Sequence, residues 1–272
     1  MKAMDMLISA LKKEEKARYN GGIYRKTQVD MAYNSNHIEG SRLSHDHTRE
    51  LFETRSLLAE KDEVIYADDV VTANNHFRAF RFMLDCYDTP LTEDFIKTIH
   101  RILMEGTAAE TAGFPIGDYK NQDNIVGDRA TVPVADVPRA MEAMLTDYHA
   151  SDHSFAKLID SHYRFESIHP FQDGNGRTGR LLLFKECLAA GIIPFIIADD
   201  KKQFYYRGLR AYETEPGYLR ETCGEAQDNY LLLCCQLIRG FRKEAEKEGL
   251  IRTELLRILD RKKQDIGRDD RW

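Results

Sequence analysis

One short stretch of the chain holds a histidine, an aspartate and two arginines among three glycines. It runs from Ile168 to Arg180 and reads IHPFQDGNGRTGR. His169 can accept a proton near neutral pH, and the guanidinium groups of Arg177 and Arg180 can pair with phosphate oxygens in a bidentate manner. A glycine-rich bend that leads into a helix leaves backbone N–H groups without partners, and such groups bind anions. The stretch therefore predicts a nucleotide phosphate site with its own base.

The composition indicates a globular protein without an extended nucleic-acid surface. The chain has 272 residues, of which 42% are hydrophobic and 31% charged, and this length is sufficient to bury a core. A net charge of -6 disfavours broad contact with a phosphate backbone. The N-terminus lacks an apolar signal segment, no apolar run reaches the length of a membrane span, and the five cysteines lack disulfide-framework spacing. We therefore expect a cytoplasmic protein with no membrane contact.

Apolar periodicity predicts a single, mainly α-helical domain with one small β-hairpin. Ser44, Thr92 and Asp136 are expected to cap helices, and Gly40 to end one. The Gly127-Asp128 pair suits a tight hairpin turn between the apolar runs 124–126 and 130–132. The segment from Arg239 is charged and predicts a solvated helix. The predicted helices include residues 3–18, 27–39, 66–86, 92–104 and 180–190.

The glycines of the opening stretch also fit two other nucleotide sites. Gly174 to Gly179 form a G-x-G-x-x-G string, and Asp199 follows at about the distance that ribose recognition in a Rossmann oxidoreductase requires. This alternative would be an NAD-dependent enzyme, but it requires a strand directly before Gly174, and the sequence there does not predict one. A Walker A loop is discarded because Leu181, which follows Arg180, cannot ligate a metal.

From His169 to Arg180 the sequence matches H-x-F-x-D-G-N-G-R-x-x-R without a mismatch, and this pattern resembles the signature of the Fic family. The family's domain is a helical fold that typically transfers AMP from ATP to a protein hydroxyl. The resemblance implies that His169 deprotonates the target hydroxyl and that Asp173 ligates Mg²⁺. Because binding alone needs no base, these residues argue against a further alternative, a non-catalytic ATP-sensing regulator. The implied nucleotide-binding residues are Gly174, Asn175, Gly176, Arg177, Arg180, Tyr205 and Tyr206.

A second motif lies far upstream, at Ser35 to Gly40, and resembles the family's inhibitory motif in its N-terminal form. Ser35 and Glu39 are four residues apart, so that one helical face presents both. The resemblance implies that Glu39 pairs with Arg180 and blocks the γ-phosphate contact, which would make the enzyme autoinhibited. In some relatives the same glutamate supports removal of AMP by positioning a water, so that a reverse activity is also expected.

The predicted hairpin falls where the family has a flap that docks the target segment as an added strand. An ordinary connecting hairpin is the alternative. The expected partners are ATP and a protein carrying a Ser, Thr or Tyr hydroxyl, with a homodimer or self-modification left open. The candidate docking residues are Ile125, Val126, Thr131 and Val132.

The resemblance also divides the chain into four parts. They are an N-terminal helix at 1–26, an inhibitory helix region at 27–60, a Fic-like catalytic core at 61–238 and a charged C-terminal helix or tail at 239–272. The inhibitory motif and the glycine-rich stretch fall in different parts, so we expect the fold to bring them together.

Overall fold

The computed structural model describes residues 2–19, 21–127 and 129–260. Across these residues the chain is mainly helical, which confirms the predicted fold class. None of the helices described is long and apolar enough to cross a bilayer. In chain order the helices are α1 (Ala3–Ala17), α2 (Ile23–Ile38), α3 (His45–Thr54), α4 (Ala67–Asp85), α5 (Glu93–Met104), α6 (Ala108–Thr111), α7 (Val137–His149), α8 (Phe155–Ile168), α9 (Asn175–Ala189), α10 (Lys202–Ala211), α11 (Gly217–Leu237) and α12 (Phe241–Lys247).

Helix α9 lies at the centre of the fold, where it packs against α2, α4, α5 and α8. Every residue from Arg177 to Leu188 is buried, including Lys185 and Glu186. These two charges lie 2.6 Å apart, and they also contact the carbonyl of Thr89 and the hydroxyl of Tyr148. Paired in this way, the charges can be accommodated away from water. A helix buried on all sides is a rigid support for the residues at its N-terminus.

Two helices begin earlier than the sequence predicts. Helix α2 begins at Ile23 instead of at position 27, because Ile23 and Tyr24 are both buried in the core. Helix α9 begins at Asn175 instead of at position 180, so that Gly176 and Gly179 lie inside the helix. A side chain at Gly179 would clash with Glu166 of the neighbouring helix α8. This glycine therefore permits close helix packing.

The predicted caps have mixed outcomes. The hydroxyls of Ser44 and Thr92 each accept a hydrogen bond from the backbone N–H three residues later, at 3.0 and 3.1 Å, which confirms both caps. Asp136 makes no capping hydrogen bond, so that prediction is wrong. A 3₁₀ turn at Val134–Asp136 leads directly into α7, and Asp136 thus has helical backbone where a cap needs an extended one.

The C-terminal segment is predicted to be solvated, and over its described part most residues are exposed, but one apolar face is buried. Helix α12 packs against α1 and α11, and Phe241, Ala245 and Leu255 are buried. Their apolar spacing decides the outcome despite the many charges around them. The remaining residues of the predicted tail, 261–272, lie outside the described part of the chain.

The β-hairpin consists of strands β1 (Ile125–Val126) and β2 (Arg129–Ala130), which pair antiparallel. Val126 lies opposite Arg129, so that the connecting turn has two residues. Gly127 begins this turn with a φ of 61°, a conformation that favours glycine, and Asp128 lies outside the described residues. Strand β2 ends at Ala130, so that it includes only the first residue of the apolar run 130–132.

Candidate active site

His169 lies where helix α8 ends, and its backbone is left-handed, with φ 52° and ψ 62°. The following residue, Pro170, disfavours the α conformation at His169, and the chain leaves the helix there with His169 lining a cleft. Nδ1 of His169 lies 3.4 Å from the carbonyl oxygen of Glu166. A carbonyl can only accept, so Nδ1 carries the proton and Nε2 is the acceptor nitrogen. Burial lowers the pKa of His169, which keeps the ring neutral at pH 7.

The side chain of Asn175 shapes the loop between α8 and α9. Its amide accepts a hydrogen bond from the N–H of Phe171 at 2.9 Å and donates one to the carbonyl of Phe171 at 2.8 Å. Asn175 is 1% exposed, and both ends of its amide serve this loop. Its backbone N–H, in the first turn of α9, has no acceptor within the helix. A contact from Asn175 to a nucleotide would thus come from the backbone.

His100 of helix α5 is a supporting residue that sequence reasoning misses. Its Nε2 donates to the carbonyl of Asp173 at 2.9 Å, and its Nδ1 accepts the N–H of Gly117, also at 2.9 Å. The ring stacks on Phe171 at 3.7 Å. Burial lowers the pKa of His100 to about 4, so that the neutral ring ties two loops together. A lone histidine on an amphipathic helix carries no signal of these long-range contacts.

The first turn of α9 is the candidate anion site. Gly174 precedes the helix with a φ of 78°, and a side chain there would clash with Met104, so only glycine suits this position. The backbone N–H groups of Asn175, Gly176 and Arg177 lack acceptors within the helix, because the first helical bond is donated by the next residue. Three N–H groups at a helix N-terminus favour a bound anion.

Asp173 and Arg177 lie at the edge of this turn. Nη2 of Arg177 is 3.3 Å from Oδ1 of Asp173, and the Asp173 side chain is 49% exposed while that of Arg177 is 9% exposed. No group of three potential metal ligands occurs among the residues described. One accessible carboxylate nevertheless fits Mg²⁺, which usually takes one or two carboxylates together with substrate phosphates.

Arg180 is buried and is held by helix α2. Its Nε donates to the hydroxyl of Ser35 at 3.1 Å, and its Nη2 donates to the carbonyl of Ser35 at 2.9 Å and to Oε1 of Glu39 at 2.7 Å. Burial acts to lower the pKa of Arg180, but the charge and hydrogen bond of Glu39, together with the nearby acidic groups of Tyr205 and Glu166, outweigh it and the pKa is raised. The Glu39 carboxylate lies over the first turn of α9, since a side chain on Gly176 would clash with it. A carboxylate thus lies where a phosphate would meet the N–H groups.

A cleft of about 440 Å³ opens beside these groups. Its lining combines the candidate base and the buried arginine with aromatic and apolar side chains. A concave site with few convergent polar groups is typical of small-ligand binding. The lining residues include Glu39, His169, Arg180, Val126, Tyr206 and Leu209.

Tyr205 and Tyr206 both line this cleft but differ in their hydrogen bonds. Tyr205 is 1% exposed, and its hydroxyl lies 2.7 Å from Nε2 of His162. Tyr206 is half-buried, and its hydroxyl donates to the carbonyl of Ile38 at 3.2 Å. Tyr206 therefore links the wall of the cleft to the end of α2.

The four candidate flap residues fall into two pairs. Ile125 and Val126 are 71% and 48% exposed. The hydroxyl of Thr131 contacts Lys120 at 2.6 Å, and Val132 packs against the hydrophobic core. The structure thus leaves Ile125 and Val126 open, whereas Thr131 and Val132 attach the hairpin to the domain.

Glu166 gives rise to a stability prediction. Its Oε1 is buried without a hydrogen-bond partner, and burial raises its pKa to about 7. Because the folded-state pKa exceeds the unfolded value of roughly 4.3, the stability linked to the bound proton is lost as the pH rises through 7. Glu166→Gln is therefore expected to stabilise the protein more at pH 8 than at pH 5, by roughly 1–2 kcal/mol. Urea unfolding at both pH values measures this difference.

The exposed residue Glu142 provides the control for this measurement. Glu142→Gln makes the same chemical change at an exposed position of α7, and we expect no such dependence on pH. An equal effect of Glu166→Gln at pH 5 and pH 8 would contradict the assignment of a proton to Glu166.

Solved structures share this architecture. The chain superimposes on a Fic-domain-containing signalling protein from Bacteroides thetaiotaomicron with a TM-score of 0.63 and 22% identity, over 89% of this chain and 93% of that one. A variant of a Fic-1 fragment from C. elegans gives a TM-score of 0.62 and 21% identity, over 84% of this chain and 69% of that one. The fold is therefore that of Fic-domain proteins.

Sequence comparison agrees with the fold. The Fic/DOC family model matches residues 90–186. The protein adenylyltransferase Fic of Nematostella vectensis is 29% identical over 181 residues, 65% of this chain and 41% of that protein. That of Drosophila melanogaster is 28% identical over 184 residues, 65% of this chain and 36% of that protein. The chain spans less than half the length of these relatives. The match to the Fic/DOC family model covers the segment that contains the glycine-rich stretch.

The fold contradicts the Rossmann alternative. Helix α8 precedes Gly174 where a strand is needed, and over the described residues the strands are those of the hairpin alone. The apolar run that ends before Asp199 has no regular secondary structure and forms no strand. Asp199 itself lies in a 3₁₀ turn.

Proposed function

We propose that this protein is an autoinhibited adenylyltransferase that moves AMP from ATP to a Ser, Thr or Tyr hydroxyl of a protein. The observation that carries the proposal is that one cleft is lined by His169, by Gly176 of the candidate anion site and by Arg180. The relatives from Nematostella vectensis and Drosophila willistoni are named protein adenylyltransferases, which supports the reaction class. Acceptors include a second protein or the enzyme itself.

The proposed reaction is a substitution at the α-phosphorus of ATP. Nε2 of His169 takes the proton of the target hydroxyl while the hydroxyl oxygen attacks the α-phosphorus. The bond from the α-phosphorus to the oxygen bridging the α- and β-phosphates breaks, and pyrophosphate leaves. The N–H groups of Asn175 and Gly176, together with the Arg177 guanidinium, stabilise the phosphate charge. Burial keeps His169 in the neutral form that accepts a proton.

Asp173 is the residue that would hold Mg²⁺ together with the phosphates of ATP. When bound, Mg²⁺ neutralises phosphate charge and orients the phosphates. The half-exposed carboxylate of Asp173 borders the anion site, and Arg177 keeps it in place at 3.3 Å. Asp173 therefore contributes an anionic oxygen at the place where the phosphates meet the loop.

Asp173→Asn is expected to raise the Mg²⁺ concentration that gives half-maximal AMP transfer by about 10-fold, because a neutral amide is a weaker ligand than a carboxylate. The comparison is made in the Glu39→Gly background, and calorimetry of ATP binding with and without Mg²⁺ gives a second readout. Asp88→Asn, at an exposed site, is the control and should leave the Mg²⁺ requirement unchanged. An unchanged requirement in Asp173→Asn would show that the metal is held elsewhere.

The inhibitory role of Glu39 follows from its contact with Arg180. The ion pair of 2.7 Å uses the guanidinium that would hold the γ-phosphate. The Glu39 carboxylate also places a negative charge beside the anion site, where it repels phosphate. With Arg180 taken, ATP lacks the contact that aligns its α-phosphorus with His169. The same carboxylate can position a water molecule that removes AMP from a modified protein. Loss of AMP from a modified target in the presence of the unaltered protein would reveal this reverse activity.

Mass spectrometry tests the proposed function. The Glu39→Gly variant is incubated with ATP, Mg²⁺ and a cell extract, and the expected product is a protein hydroxyl that carries AMP. The double variant with His169→Ala should give no such product. If neither variant yields an adduct while ATP still binds, the transferase proposal is overturned in favour of an ATP-sensing regulator.

A further inference from the structure

Asp199 joins the C-terminal half of the inhibitory helix α2 at two points. Its backbone N–H donates to Oδ1 of Asn34 at 2.8 Å. Its Oδ2 lies 2.8 Å from Nδ1 of His37, and its Oδ1 lies 3.0 Å from Nζ of Lys202. The 3₁₀ turn before α10 is thus attached to α2 through one residue.

This attachment is largely sheltered from water. The side chain of Asp199 is 19% exposed and that of His37 is 30% exposed. The ring of Tyr33 stacks on His37 with centroids 5.0 Å apart and so restricts its orientation. Burial acts to raise the pKa of Asp199, but its close contacts with Lys202 and His37 and the charges of these two residues outweigh it, so that the pKa is lowered. Asp199 is therefore ionised at neutral pH.

Both contacts fall within the last turns of α2 before Glu39. Asn34 and His37 face the turn before α10, whereas Ser35 and Glu39 contact Arg180 of α9. The end of α2 is therefore held on two sides, by α9 and by the turn that contains Asp199. Loss of one of these attachments increases local opening of a helix end.

We propose that Asp199 is a positioning residue, which fixes the end of α2 so that Glu39 reaches Arg180. The inference rests on the proposed inhibitory role of Glu39. Asp199 and His37 are not among the residues that line the cleft, so that Asp199 acts on the reaction only through α2. Weakening its contacts shifts the population towards states in which Glu39 leaves Arg180, which releases the inhibition in part.

The test compares Asp199→Asn with Asp200→Asn. Asp199→Asn removes the charge that faces His37 and Lys202 but retains the size of the side chain, while Asp200 is an exposed neighbour at which the same change is the control. Asp199→Asn is expected to raise AMP transfer about 3- to 10-fold in the otherwise unaltered protein, and Asp200→Asn to leave it unchanged. In the Glu39→Gly background, Asp199→Asn should have no effect on the rate.

Amide hydrogen exchange gives a readout that is independent of activity. Exchange over residues 31–38 should be faster in Asp199→Asn than in Asp200→Asn, while the melting temperatures of the two variants stay within a few degrees of each other. Asn34→Ala, which removes the other contact, should accelerate exchange over the same segment.

Each failure has a distinct meaning. If Glu39→Gly is active but Asp199→Asn transfers AMP at the unaltered rate, the positioning role is wrong. If Asp199→Asn slows transfer in the Glu39→Gly background, Asp199 acts on the chemistry or the fold, which also overturns the inference. If Glu39→Gly is itself inactive, the proposed function fails. The attachment of α2 by Asp199 is then tested by hydrogen exchange alone, and equal exchange over residues 31–38 in Asp199→Asn and Asp200→Asn would refute it.

Discussion

Glu39→Gly is expected to raise the rate of AMP transfer by about 10- to 100-fold. A hydrogen bond between charged groups contributes about 1.5–3 kcal/mol, and each 1.4 kcal/mol corresponds to about a tenfold change in population. Removing Glu39 frees the Arg180 guanidinium from an ion pair of 2.7 Å and removes the carboxylate that lies over Gly176. Initial rates of label incorporation from α-labelled ATP measure the effect, and calorimetry measures the accompanying gain in ATP affinity.

Glu39→Gln separates charge from bulk at this position. The amide keeps the size of the side chain but loses its negative charge, so we expect a rate between those of the unaltered protein and Glu39→Gly. Equal rates in all three proteins would contradict inhibition by Glu39. Melting temperatures are needed alongside, because Glu39→Gly leaves the buried Arg180 with Ser35 as its hydrogen-bonding partner on α2.

His169→Ala in the Glu39→Gly background is expected to reduce AMP transfer by about 10²- to 10⁴-fold, the range typical of a lost general base. ATP affinity should change little, because His169 acts on the proton of the acceptor hydroxyl and the phosphates are held by α9. Initial rates and calorimetric dissociation constants measured on the same preparations separate the two effects.

The matched control is His153→Ala, which removes a half-buried histidine that packs against Tyr148. It should leave the rate within about a factor of two of its background. Substantial transfer by the His169→Ala variant would show that another group accepts the proton.

The helical class and the composition of the site could be predicted because both are encoded locally. The motif from His169 to Arg180 is continuous in the sequence, and apolar periodicity identifies most helices. Local patterns do not report the packing of distant segments. His100 contacts the site through the carbonyl of Asp173, which is 73 positions away in the chain. The amide of Asn175 bonds the backbone of Phe171, and this loop conformation depends on the buried ring of Phe171.

The same reasoning accounts for the other differences. Asp199 fits an acidic position of the Rossmann pattern by its spacing, but its contacts with Asn34 and His37 depend on the packing of α2. The charged segment after Arg239 predicts solvation, yet helix α12 within it packs against α1 and α11 and buries Phe241 and Ala245. In both cases the deciding partner lies far away in the chain.

The position of the label in ATP tests the central claim most directly. The Glu39→Gly variant is supplied with either α-labelled or γ-labelled ATP, Mg²⁺ and acceptor protein, and label bound covalently to protein is counted. Transfer of AMP predicts that the α-label becomes bound and the γ-label does not, with His169→Ala abolishing incorporation. Incorporation of the γ-label, or of neither label while ATP binds, would contradict it.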